Sequence, residues 1–408
     1  MTDLPGRTVP TGAPQTGHEP FRVMVVDDSA VIRGLITRAL ESDPEIRVVA
    51  SVANGQMAIN TLQRQPTIDV IVLDIEMPVL DGLSALPHLL EVDPHVKIVM
   101  ASTLTAKGAD VSLRALRAGA ADYIPKPSST RELTGADNFK RELTEKVKAL
   151  GQAARRADPR KATAAGEPQA RPLPRPPVQP AATIVAQPTS GYTLPTPMRL
   201  KPEPAVVTLR PAVDIRPDVI AIGSSTGGPQ ALFEVLQHLK AGIDQPILIT
   251  QHMPATFTTI LAEHITRQCG VQCTEAKDGE PVVGGRAYVA PGDFHMLIVS
   301  KNGLPTIQLT KDPPENFCRP AVDPMLRSIV GFWGRKVLAV ILTGMGHDGQ
   351  KGCEQVVQSG GNVVGQDEAS SVVWGMPGAV ATAGLCSAVL PLKEIGPHIR
   401  RMASRRAA

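Results

Sequence analysis

Cysteine is scarce in this 408-residue chain: five residues, odd in number, at Cys269, Cys273, Cys318, Cys353 and Cys386, all in the second half. That is no disulfide framework, and reduced thiols of a cytoplasmic protein fit it better. Cys269 and Cys273 lie four apart without a second pair of ligands, which argues against a zinc site. Long hydrophobic runs are also missing. No stretch nears the roughly 18 to 20 apolar residues of a membrane helix, so the chain is not expected to be membrane-embedded. The first twenty residues are rich in Pro, Gly and Thr and lack the basic start and apolar core of a secretory signal, so they read as a disordered leader. Net charge is small, +3, and uneven, with ten Lys/Arg against four Asp/Glu in residues 151–217. Only Tyr192 is available there for base stacking, so no nucleic-acid partner is expected.

What is present is an alternation of strand and helix patterns, twice. In residues 21–127 short β-branched runs (Phe21–Val26, Val48–Val52, Val70–Leu73, Val96–Ala101, Ala121–Ile124) alternate with helical spacing at Ser29–Ser42, Gly55–Gln65, Ser84–Glu91 and Lys107–Ala118. Five such units imply an open parallel sheet with helices on both faces. Arg131–Leu150 reads as a closing amphipathic helix. From Gly151 to Pro217 periodicity disappears and fourteen prolines occur in 67 residues, a semi-extended linker. A proline-rich ligand at Arg171–Pro177 is the alternative to a simple spacer. From Asp218 to about Arg401 the alternation returns, with short pieces from Arg286 to Leu309 that read as a β-hairpin or meander inserted in a mostly parallel sheet. Two α/β domains joined by a Pro-rich linker follow.

Asp27 and Asp28 come directly after the first strand and Asp74 after the third. The carboxyl ends of parallel strands converge on one edge. Three carboxylates gathered there repel unless a hard divalent cation offsets them, and Mg²⁺ suits an all-oxygen site. With it in place Asp74 is a phosphoryl acceptor. Ser102, ending the fourth strand, and Lys126, after the fifth, can bind the new phosphate oxygens.

In the second half, Gly223-Ser224-Ser225-Thr226-Gly227 has the G-x-S-x-G form of a serine nucleophile turn. A phosphate-cradling loop is the competitor, but the Gly-Lys-Ser/Thr ending is absent. His252 follows the run Pro246–Thr250 and Asp348 follows Lys336–Leu342, so Ser, His and Asp fall at three strand ends, in an order unlike the Ser…Asp…His of α/β-hydrolases. Ser225 is the expected nucleophile, with Ser224 the rival hydroxyl. His252 is the expected base, ahead of His347 and His295. Asp348 is the expected orienting acid, ahead of Asp323 and Asp367. Gly344-Met345-Gly346 is a tight turn whose N–H groups could face an oxyanion.

Val25-Val26-Asp27-Asp28-Ser29, Leu73–Pro78 and Tyr123-Ile124-Pro125-Lys126-Pro127 resemble the response-regulator receiver domain. The resemblance implies phosphoryl transfer from a histidine kinase to Asp74, with Mg²⁺ on Asp28, Asp74 and the Glu76 carbonyl and Asp27 acting mostly through water. Ile222–Pro229, Thr250–Pro254, Tyr288–Asp293, Ile341–Gly349 and Trp374–Pro377 are similar to the catalytic domain of the chemotaxis receptor methylesterase (CheB) family. That likeness implies a Ser225–His252–Asp348 triad, with Thr226 and Met345 around the nucleophile and oxyanion. It also implies hydrolysis of glutamate methyl esters, and deamidation of certain glutamines, on methyl-accepting chemotaxis receptors, without a cofactor for that reaction. The expected layout is a leader (1–20), a flavodoxin-like receiver (21–140), a helix end and linker (141–217), a Rossmann-like methylesterase domain (218–401) and a tail (402–408). An unphosphorylated receiver docked over the Ser225 face, loosened through Ser102 and Tyr123 when Asp74 is phosphorylated, is the expected control. A receiver joined to a DNA-responsive output is the rival, disfavoured because no helix-turn-helix pattern occurs after Asp218.

Overall fold

The computed structural model describes residues 19–126, 136–158, 161, 207–240 and 243–404. Residues 1–18 of the expected leader, most of the Pro-rich segment with its Arg171–Pro177 motif, and the last four residues lie outside them. The first domain is a five-stranded parallel sheet in the order β2-β1-β3-β4-β5. Its strands are β1 (Phe21–Val26), β2 (Ile46–Val52), β3 (Val70–Asp74), β4 (Lys97–Ser102) and β5 (Asp122–Pro125). Between them run α1 (Ala30–Glu41), α2 (Gly55–Arg64), α3 (Gly82–Val92) and α4 (Ala106–Arg117). Each helix starts where a short polar side chain takes an orphan N–H: Ser29 from Ile32, Asn54 from Met57, Asp81 from Ser84, Thr105 from Gly108. β3 is buried on both faces, as a central parallel strand must be.

Helix α5 (Ala136–Ala157) runs past Leu150, where the linker was expected to start a residue later. Its last turns are built from good helix formers, and Arg155 anchors them by pairing with Asp69 at 2.8 Å and lying 4.5 Å over the Phe21 ring. At the linker's other end, residues 207–217 lie against the second domain. Val213 exchanges hydrogen bonds with the Asn362 amide, and Arg210 N–H donates to the Cys386 carbonyl. These pairings satisfy backbone groups that proline-rich composition alone gives no reason to expect ordered.

The second domain has a seven-stranded sheet, order β14-β13-β12-β6-β7-β9-β8, in which every pairing is parallel. The strands are β6 (Val219–Ser224), β7 (Ile247–Gln251), β8 (Cys273–Glu275), β9 (Ala287–Val289), β12 (Val337–Ile341), β13 (Asn362–Gln366) and β14 (Ala388–Leu390). The antiparallel hairpin β10 (His295–Lys301) and β11 (Leu304–Thr310) forms its own ladder outside that sheet. Thus Arg286–Ala290, grouped with the hairpin by sequence, belongs to the sheet as β9, paired with the three-residue β8. The helices are α6 (Gly228–Leu236), α7 (Phe257–Cys269), α8 (Val322–Trp333), α9 (Gln350–Gln358), α10 (Met376–Thr382) and α11 (Leu392–Ala403). Strand order reverses at β6, which has β7 on one side and β12 on the other. A crevice opens beyond such a switch point, at the carboxyl ends of the strands.

Candidate active site

Three strands deliver three side chains to that crevice. β6 ends at Ser224, whose buried hydroxyl donates to Gln251 Oε1 at 2.7 Å. Ser225 comes next, half-buried, its N–H on the Thr343 carbonyl at 3.1 Å and its Oγ unbonded to any described residue. The positive φ falls two residues later, at Gly227 (φ 74°), not at Ser225 itself. The turn therefore differs from a strained nucleophile elbow: the chain reverses after the serine. A side chain at Gly227 would lie 2.6 Å from Val372, so both conformation and space require glycine there.

β7 pairs with β6 so that Ser224 faces Gln251, and His252 follows as Ser225 does. His252 Nε2 lies 2.7 Å from Asp348 Oδ2. Asp348 is buried and also accepts from Asn316 Nδ2 (2.9 Å), Gly349 N–H (3.0 Å) and the first N–H groups of α8, Val322 (2.6 Å) and Asp323 (3.1 Å). Burial by itself would raise its pKa. The hydrogen bond and charge of His252 and the two helix N–H groups outweigh burial and hold the carboxyl below its ordinary value. Asp323, behind it, is pushed the other way by burial and by the charge of Asp348. For His252, burial favours the neutral ring, but the charge Cys318 carries when ionised and the Asp348 carboxylate lift the pKa above normal. Cys318 Sγ lies 3.4 Å from His252 Nδ1. Spacing gave no signal for this residue, which comes from a loop before α8.

The rival residues sit elsewhere. His347 is exposed, and its side chain makes no hydrogen bond to a described residue; only its carbonyl accepts, from Gln350 N–H at 3.1 Å. His295 is buried, with Nε2 3.1 Å from the Pro313 carbonyl and Nδ1 accepting from Ala321 N–H. Asp367 accepts from Ser370 in a turn. Of the Gly344–Gly346 turn, the Gly344 N–H is committed to Val373 O at 3.0 Å. The Met345 and Thr226 N–H groups donate to no described residue, and so are free for an oxyanion.

At the edge of the first sheet, one carboxylate oxygen from each of Asp27, Asp28 and Asp74 lies within 4.8 Å of the others. Lys126 Nζ bridges Asp27 and Asp74, 2.6 Å from each. Burial raises the Asp74 pKa, Lys126 opposes it, and neighbouring Asp27 adds to the rise. A cavity of about 150 Å³ opens over Asp74, lined by Asp28, Glu76, Ser102, Lys107 and Lys126 among others. Such a cluster of hard oxygen donors fits Mg²⁺. The Glu76 side chain itself turns outward to Lys107, at 2.8 Å.

The two sites are joined through packing. Asp122 on β5 is buried, and its Oδ2 accepts from Thr226 Oγ1, the residue after Ser225, at 2.8 Å. Lys146 on α5 is 3.3 Å from the same Asp122 oxygen and 2.9 Å from Glu142, and donates to the Tyr123 carbonyl. The Tyr123 ring stacks on Phe257 of the second domain, centroids 4.5 Å apart and 10° from parallel. Gln230 Nε2 donates to the carbonyls of Leu116 and Ala120, and His264 pairs with Asp110 at 2.8 Å. Met345, Val372 and Val373 pack in one apolar cluster with Ala101, Ile124 and Leu143. The first domain thus covers the crevice beside Ser225.

Residues 220–399 match the family model described as CheB methylesterase, and residues 23–136 that of the response regulator receiver domain. The protein-glutamate methylesterase/protein-glutamine glutaminase of group 2 operon from Rhodospirillum centenum is 80% identical, covering 100% of both chains. The protein-glutamate methylesterase/protein-glutamine glutaminase of Azospirillum brasilense is 70% identical over 98% of this chain and 96% of its own. The solved Thermotoga maritima CheB methylesterase catalytic domain is 39% identical over 46% of this chain and 100% of its own, with a TM-score of 0.45.

Proposed function

Because the chain belongs to the CheB methylesterase family, with a response regulator receiver domain in front, we propose that Ser225, His252 and Asp348 hydrolyse glutamate methyl esters on methyl-accepting chemotaxis receptors. The observation that carries this reading is the 2.7 Å His252–Asp348 pair at the end of the strand beside Ser225. Ser225 Oγ attacks the ester carbon and its proton passes to His252. The C–O bond breaks as His252 returns that proton to methanol, and water then releases glutamate from the acyl-serine. Asp348 holds one ring nitrogen and stabilises the imidazolium, while Thr226 and Met345 N–H groups face the oxyanion. A receptor glutamine enters the same acyl-serine with ammonia as leaving group, which gives the glutaminase reaction.

The receiver supplies control. A histidine kinase is the phosphodonor to Asp74, and Asp28, Asp74 and the Glu76 carbonyl would hold Mg²⁺, with Asp27 acting through water. When bound there, Mg²⁺ would supply charge to offset that of the incoming phosphoryl group. The phosphate adds about −1.5 to −2 charge beside Ser102 and Lys126 and moves the packing around Tyr123, which loosens the cover on Ser225. The protein works at the cytoplasmic side, where receptors present their methylated helices. Methanol release from methylated receptor membranes tests the reading. Full activity in Ser225→Ala would overturn the nucleophile, and a chain lacking residues 1–206 that is no faster than the unphosphorylated whole would overturn the cover.

A further inference from the structure

With Asp348 on Nε2, Nδ1 is the ring nitrogen of His252 left to take a proton from Ser225. In the structure Nδ1 faces Cys318 Sγ at 3.4 Å, and Ser225 Oγ has no partner among the described residues. The thiol lies against the ring nitrogen to which the serine proton has to pass. Its position is built by a two-residue turn. Glu315 and Cys318 exchange backbone hydrogen bonds of 3.1 and 2.8 Å, and the central Asn316 and Phe317 both have positive φ, 51° and 63°. Such turns favour Asn-Gly, and a phenylalanine at positive φ is an outlier. The same turn sends Asn316 Nδ2 to Asp348 Oδ1 (2.9 Å) and Asp323 Oδ2 (3.0 Å), and Arg327 Nη1 anchors its base on Glu315 at 2.9 Å. One turn therefore touches both base and acid.

The geometry points to Cys318 as a positioning residue for the general base: its thiol holds the His252 imidazole against Asp348 in the resting enzyme and yields to Ser225 when an ester binds. This rests on His252 being the base, as proposed above. The charged groups around the ring are Asp348 and Cys318 in contact, Asp323 behind Asp348, Glu315 with Arg327 at the foot of the turn, and Arg141 of the first domain 4.2 Å over the Phe317 ring. Cys318 and Asp348 are the two that favour the protonated ring against burial. Replacing the thiol removes one of them.

Full-length protein tests this in two ways. In pH profiles of methanol release, the acid limb of kcat/KM, which reports the free enzyme, should lie about one pH unit lower in Cys318→Ala and Cys318→Ser than in the parent. The serine variant, which keeps a hydrogen-bonding group, should stay within about two-fold of the parent kcat near neutral pH. A limb unmoved in both variants overturns the proposal, as does equal loss of kcat at every pH in both. The second test needs no esterase activity. The other four thiols are buried, and burial pushes Cys273 up to about 12, so iodoacetamide should mark Cys318 first. In that reaction sulfur bonds the acetamide carbon, iodide leaves, and the thiol proton passes to Nδ1. His252→Ala, if it melts as the parent does, should slow alkylation at Cys318 at least several-fold. An unchanged alkylation rate overturns the contact even if Ser225 proves to be the nucleophile. Slowed alkylation in His252→Ala, with a parent that itself releases no methanol, would leave the contact standing and overturn the methylesterase reading instead.

Discussion

The contact between Asp122 and Thr226 gives the sharpest test of how the receiver restrains the esterase. Asp122→Ala removes a buried, charge-assisted hydrogen bond of 2.8 Å that reaches the residue next to the nucleophile. Bonds to a charged group contribute about 1.5 to 3 kcal/mol. If that contribution is made only in the covered state, its loss multiplies the uncovered fraction by roughly 10 to 150. The ceiling is the rate of the chain lacking residues 1–206. Lys146 keeps its second partner, Glu142 at 2.9 Å, so the receiver is not left with a lone buried charge. Asp122→Asn keeps an acceptor for the Tyr123 N–H and should release less. The assay is methanol release from methylated receptor membranes by unphosphorylated full-length protein, with thermal melts to exclude unfolding. A basal rate unchanged in Asp122→Ala, alongside a clear gain on deleting residues 1–206, would refute the role given to this contact.

Ser225→Ala should reduce methanol release by at least about 10³-fold without lowering the melting temperature, and Ser224→Ala should not, because its hydroxyl only bridges to Gln251. Asp348→Ala should lower stability near neutral pH by about 3 kcal/mol, since it breaks a buried pair. Because the Asp348 carboxyl is held below its ordinary value, its stabilisation is complete above the unfolded carboxylate range and lost as pH falls through the folded value. Parent and variant melts should therefore converge in acid. Gly227→Ala should cost about 1 kcal/mol or more, read from denaturant melts, through its positive φ and the approach of Val372. Asp74→Asn, or chelation of Mg²⁺, should abolish activation by a phosphodonor while leaving the basal rate as it was.

Much of this architecture is legible in the chain because the central parallel strands are buried on both faces and so appear as apolar runs. Val219–Ser224 and Val337–Ile341 are of that kind. The three-residue β8 is not, since Cys273–Glu275 is too short to show a period. Helix α5 outran its expected end because Arg155 finds Asp69 and Phe21, long-range partners that no local pattern displays. The site divides the same way. Ser225, His252 and Asp348 each follow a recognisable strand, whereas Cys318 and Asn316 reach the triad from an irregular loop. Their turn carries Asn-Phe, not Asn-Gly, so even the usual turn signal is missing. Asp122 was hidden for another reason: its partner lies 104 residues away, in a different domain.

The Asp122 contact also bounds what phosphorylation can do. A phosphate on Asp74 shifts the covered and uncovered states only by the free energy with which it favours one over the other. Tyr123 and Asp122 are adjacent on β5, and both touch the second domain, one by stacking on Phe257 and one by hydrogen bonding to Thr226. A movement of β5 that turns Tyr123 away from Phe257 therefore breaks both contacts together. If Asp122→Ala has already removed one of them, less difference remains for the phosphate to exploit. Basal activity and fold-activation should then trade against each other: a variant ten-fold faster at rest should gain about ten-fold less from phosphorylation, with the fully activated rate unchanged. Independent action would look different, with basal rate and activated rate rising by the same factor.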